Sequence, residues 1–92
     1  MGKAENEVET YFNQKVGQLG GVTRKYTSPG HQGVADRLCF LPGGKLSLVE
    51  IKTERGKESS IQQRERQRML DLGFDAVVLY GKEGVDEWIQ TL

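Results

Sequence analysis

Residues 33–52 read Gly-Val-Ala-Asp-Arg-Leu-Cys-Phe-Leu-Pro-Gly-Gly-Lys-Leu-Ser-Leu-Val-Glu-Ile-Lys. Two apolar runs, Leu38–Leu41 and Leu46–Ile51, flank Pro42-Gly43-Gly44, which predicts a β-hairpin. Asp36 and Arg37 lead into the first run, and Glu50 and Lys52 lie two positions apart in the second. In an extended strand that spacing sends Glu50 and Lys52 to one face and Ile51 to the other. Pairing across the turn then brings Asp36 near Glu50. Two carboxylates and an amine at one end of a small sheet suit a hard divalent cation, Mg²⁺ or Mn²⁺, whose remaining positions stay open to water and phosphate. The chemistry implied is metal-assisted phosphodiester hydrolysis. Glu-x-Lys alone is a frequent pattern on solvated strand faces, and it is the aspartate one strand upstream, close behind Gly33, that gives the spacing weight.

The rest of the chain bounds this reading. At 92 residues it predicts one domain over 1–92, near the lower end of what buries an adequate core, so a dimer interface is an expected supplement. With 36% hydrophobic and 28% charged residues, the composition is that of an ordinary soluble globular domain. No apolar run reaches membrane-spanning length and Met1–Glu7 has no signal-peptide core, so the expected location is cytoplasmic, without membrane contact. A single cysteine, Cys39, lies in an apolar strand and is expected to be a buried small hydrophobe. One histidine, His31, excludes a histidine-based metal cage; its polar Gly30–Gly33 loop predicts exposure or phosphate contact.

Net charge is zero, which argues against coating nucleic acid by bulk electrostatics. The distribution is uneven. Arg55, Lys57, Arg64, Arg66 and Arg68 cluster, and such a basic face suits transient contact with a phosphate backbone. Glu54, Glu58, Glu65 and Asp71 are interleaved with it, so an ion-paired solvated helix is the competing reading.

Val8, Tyr11, Phe12, Val16 and Leu19 recur at helical spacing, predicting a first helix over 3–19 that Gly20-Gly21 stops. Glu5 and Glu9 share one of its faces, so one of them could lean over a metal site, although first-turn acids also simply favour the helix dipole. Val22–Tyr26 reads as a strand, with Arg24 and Lys25 as candidate phosphate contacts ahead of a Pro/Gly loop. After the hairpin, Ser59-Ser60-Ile61-Gln62 is a capping-box pattern opening a helix to about Leu72, ended by Gly73. Ile61, Met69 and Leu72 supply its apolar side, with Arg64, Arg66 and Arg68 mostly outward. Gln62 either caps this helix or points its amide into the site. Ala76–Tyr80 is a near-continuous apolar run, which predicts a central strand covered on both faces and joined by a parallel crossover. Gly81–Gly84 reads as a turn, followed by a short helix with Trp88 inward. The order is αβββαβα, an α/β fold with a mixed sheet flanked by helices.

Glu5, Gly30–Arg37, Pro42-Gly43-Gly44, Val49–Lys52, Ser59–Gln62 and Leu72–Phe74 together resemble the VRR-NUC domain, the virus-type replication-repair branch of the PD-(D/E)xK nucleases, over about residues 5–80. The resemblance implies a restriction-endonuclease-like αβββαβ core. It implies that Asp36 and Glu50 hold Mg²⁺ or Mn²⁺, that the Ile51 carbonyl also faces the metal, and that Lys52 is the catalytic lysine. Glu5 matches the helix-one acid, with Glu9 one turn later as the fallback, and Gln62 matches the glutamine after the core. Ala35 departs from the family's usual proline, which bears on backbone rigidity rather than chemistry. Stand-alone domains of this kind resemble phage or bacterial homodimeric nucleases acting on branched DNA such as four-way junctions, whereas larger relatives cut flaps. No organic cofactor is implied. Expected DNA contacts are Arg24, Lys25, His31, Gln32, Arg37, Lys57, Arg64, Arg66 and Arg68. A flap or general DNA nuclease, a non-catalytic nucleic-acid-binding module of the same fold, and a small α/β interaction domain are the alternatives.

Overall fold

The structure is a computed structural model describing residues 2–92, with side chains from Ala4 onward. Three helices and four strands follow one another as α1 (Gly2–Gln18), β1 (Val22–Lys25), β2 (Arg37–Leu41), β3 (Lys45–Lys52), α2 (Ser60–Asp71), β4 (Asp75–Tyr80) and α3 (Gly81–Gln90). The strands form one sheet in the order β1-β2-β3-β4. β1, β2 and β3 pair antiparallel, whereas β4 pairs parallel to β3, as the crossover through α2 requires. Alternation along each strand sorts the side chains between two faces.

One face carries Cys39, Val49, Ile51 and Leu79 against Val8, Phe12 and Val16 of α1 and Val85 and Trp88 of α3. Phe12 is fully buried and its ring lies 5.7 Å from that of Trp88, tilted by 36°. Cys39 is buried as expected, and burial pushes its thiol up to about 11, so it stays a protonated filler of the core. On the other face the buried apolar residues among those described are Ala35, Leu48 and Ala76, with Tyr26, Leu38 and Met69 packed beside them under α2, and Glu50 is buried there too.

Three expectations need correction. β4 is an edge strand, not a central one: Glu50 pairs with Val78 on one side of it and no strand lies on the other. Its apolar run reflects helices on both faces, a condition that says nothing about lateral position. Residues 81–84 form the first turn of α3 rather than a separate turn. Finally, no residue of α2 is fully buried; Met69 packs inward, but Ile61 is 40% exposed and Leu72 66% exposed. The sheet beneath α2 presents small residues and charged groups, so this helix covers it without a broad apolar stripe.

Candidate active site

The hairpin delivers Asp36 and Glu50 to each other. Asp36 immediately precedes β2 and is clamped by its backbone: its N–H donates to the Val49 carbonyl at 3.0 Å, and its carbonyl accepts from the Tyr26 N–H at 3.0 Å. Its carboxylate Oδ2 accepts from the Ile51 N–H at 2.7 Å. The aspartate is therefore fixed against the strand that carries Glu50. The preceding loop is pinned as well. Gly33 has φ +87°, and a Cβ there would come within 2.5 Å of Ile61 Cγ2, so only glycine lets the loop lie on α2.

Glu50 is 2% exposed, and its Oε1 has no hydrogen-bond partner. Burial first, then a side-chain hydrogen bond with Glu58 and the charges of the Glu58 and Asp36 carboxylates, push its carboxyl up to about 8, opposed by Lys52. Glu58 lies just before the N-cap of α2, with its side chain only 3% exposed. Arg66 Nε and Nη2 each donate to a different Glu58 oxygen at 2.8 Å, which holds the Glu58 carboxyl below its usual range. Lys52 is half-buried on the Glu50 face of β3.

On the α1 side, Glu5, Asn6, Glu9, Lys25, Asp36 and Ile51 line a cleft of about 180 Å³. Both helix-one acids reach it, but Glu9 Oε2 accepts from Arg37 Nε at 3.0 Å, whereas Glu5 is exposed. Among the described residues, no three His, Cys, Asp or Glu side chains converge as a metal-holding group. The structure thus brings Asp36 and Glu50 together, and sets Glu5 on the cleft wall beside Asp36 rather than in a closed trio.

An orphaned, buried carboxylate oxygen is costly unless it meets a donor or a cation. The hard oxygen donors of Asp36 and Glu50 fit Mg²⁺ or Mn²⁺, which would satisfy Glu50 Oε1.

The other expected residues divide by what holds them. Gln62 completes the capping box: its Oε1 accepts from the Ser59 N–H at 2.9 Å while Ser59 Oγ accepts from the Gln62 N–H at 3.1 Å. Of its two readings, the cap is the one observed. Arg64, Arg68, Lys57, Lys25 and Gln32 are exposed. Arg24 is exposed, with Nη1 turned onto the Thr23 carbonyl. His31 is exposed too, and its Nε2 lies 3.0 Å from Glu65 Oε1. Arg66 does not face outward as expected, because Glu58 draws it in; Arg37 is likewise engaged, by Glu9. Glu58 is the residue that sequence reasoning passed over. It counted only as one acid interleaved among bases, and no local rule pairs it with an arginine eight positions on before α2 exists.

The fold is a mixed four-stranded α/β sheet flanked by helices, with Asp36 and Glu50 close together on it. Over 75 residues the chain is 40% identical to the putative nuclease p44 of Acyrthosiphon pisum secondary endosymbiont phage 1, spanning 82% of this chain and 81% of that protein. It matches a solved VRR_NUC domain structure with a TM-score of 0.88 and 31% identity, covering 95% of both chains. No family model matches the sequence. The chain belongs to the VRR-NUC domain family.

Proposed function

We propose that this chain is a divalent-metal-dependent DNA endonuclease, acting as a homodimer on branched DNA and resolving four-way junctions. The observation that carries the nuclease reading is the buried Glu50, with its unpartnered Oε1, held beside Asp36. A domain that only bound nucleic acid would gain nothing from two acids where a phosphate must approach, since their charge repels it. A phage protein named as a putative nuclease is similar along most of both chains, which supports the same reading.

In this reading Asp36 and Glu50 hold one or two Mg²⁺ or Mn²⁺ ions, aided by the Ile51 carbonyl and, from the cleft wall, by Glu5. The bound cation supplies charge neutralisation at the scissile phosphate. Asp36 can do its part without reorganising, because the Ile51 N–H already fixes its Oδ2. Lys52, on the same strand face as Glu50, orients the attacking water and accepts or relays its proton. Arg64, Arg68, Lys57 and Lys25, all exposed, steer and grip the phosphate backbone. The dimer follows from the substrate: each site cuts one strand, and a two-fold pair cuts two strands symmetrically.

Cleavage of labelled four-way junction, flap and linear duplex, with Mg²⁺ or Mn²⁺ and with Lys52→Ala in parallel, tests this. Paired symmetric nicks in the junction alone, lost in the variant, are the expected result. Equal cutting of all three substrates would remove the junction preference, and retained binding without cleavage would leave a non-catalytic module.

A further inference from the structure

The charges on the α2 side of the sheet contain a feature the proposed reaction does not use. Arg66 sits beside two buried carboxylates and serves only one. Its two N–H groups close on both oxygens of Glu58 at 2.8 Å. Glu50 also attracts the Arg66 guanidinium, and the two residues line a common void of about 10 Å³ with Met69 and Glu65. Yet Glu50 Oε1 has no partner.

An arginine next to a buried carboxyl oxygen without a partner has a strong tendency to pair with it, since its planar fork matches the carboxylate and the pairing satisfies an acceptor otherwise left orphaned. What holds Arg66 away from Glu50 is the better geometry offered by Glu58, 3% exposed and fixed next to the capped start of α2. Were Glu58 neutral, the remaining partner would be Glu50. The guanidinium would then occupy the oxygens a cation needs.

We propose that Glu58 is a positioning residue that sequesters Arg66, and so keeps the Glu50 carboxylate open to a divalent cation. The inference rests on the reading of Glu50 as a cation ligand. It differs from an ordinary strut in one respect: the damage from losing Glu58 is done by Arg66, so removing Arg66 as well repairs it. A pair that merely braced α2 would be no better with both members gone.

The test is Mn²⁺ titration calorimetry on the intact chain without DNA, for wild type, Glu58→Gln, Glu58→Gln/Arg66→Met and Glu50→Gln, with unfolding midpoints in chelator to verify folding. Glu58→Gln should weaken Mn²⁺ binding about ten- to hundredfold, the scale for partners that orient a ligand. The double variant should return to within about threefold of wild type, a sign reversal that independent sites do not show. Glu58→Asp, which loosens the hold by one methylene, should give the same order in smaller steps and serves if the glutamine variant does not fold. Wild-type affinity in Glu58→Gln, or a double variant as weak as the single, overturns the inference. Undiminished Mn²⁺ binding in Glu50→Gln instead overturns the reading of Glu50 itself, and the inference with it.

Discussion

The two faces of this sheet are built by different physics. Under α1 and α3, nine buried residues from two helices and three strands interlock without a charge among them. Under α2, two alanines and Leu48 are the buried apolar residues beside the buried Glu50, and the helix itself buries none; it is held by a capping box, the Arg66–Glu58 pair and the His31–Glu65 contact. A small domain has room for one good apolar core. Concentrating it on one face leaves the other free to keep Glu50 dry with its Oε1 unpaired, an arrangement that costs stability. The contrast makes measurable demands.

The largest is on the apolar face. Phe12→Ala should cost about 3–5 kcal/mol, as for other fully buried aromatics, and unfolding in urea would register it. That approaches the total stability of a domain this size. If the loss were below about 1 kcal/mol, the apolar face would not be the chief source of stability.

Next comes the strain on the polar face, read through pH. Glu50 titrates in the folded chain at about 8, above its ordinary 4.5, because burial, Glu58 and Asp36 together outweigh the attraction of Lys52. The folded chain therefore binds more protons than the unfolded one between those values, and its stability falls as pH rises from about 4.5 to 8. Glu58 is depressed by Arg66, so its own contribution changes at lower pH, outside this window. Without metal, Glu50→Gln should flatten the slope and raise stability at pH 8 by an amount on the order of 3 kcal/mol. Mg²⁺ should stabilise the wild type at that pH and leave the variant unmoved. A wild-type midpoint that climbed across the same window would contradict the arrangement.

The smallest effect tests what holds α2. Ser59→Ala removes the hydroxyl that accepts the Gln62 N–H and should cost about 1 kcal/mol, visible as a modest drop in the thermal midpoint and faster amide exchange in the first turn of α2. A cost matching that of Phe12→Ala would mean that the two faces do not differ as described.

How much of this was readable beforehand varies by element. The hairpin, the capped start of α2, its end at Gly73 and the closeness of Asp36 to Glu50 all follow from short-range rules: alternation, turn residues and a Ser-x-x-Gln cap. The inward Trp88 and the buried Cys39 follow from apolar pattern in the same way. The edge position of β4 does not, because both central and edge strands read as apolar once helices cover their faces. Nor does the choice between the helix-one acids. Glu5 and Glu9 share a face, and only the approach of Arg37, 28 residues away along the chain, ties up Glu9.

Sequence alone determined the order of helices and strands, the apolar face of the hairpin and of α1, and that two acids and a lysine meet at one end of a hairpin, since each of these follows from periodicity and from a turn that pairs two adjacent strands. Tertiary structure decided which cations are taken by internal partners, how deeply Glu50 is buried and that its Oε1 is left without one. Those outcomes depend on which distant groups the packed sheet brings within a few ångströms, and a buried charge reaches its energy only from the groups that surround it.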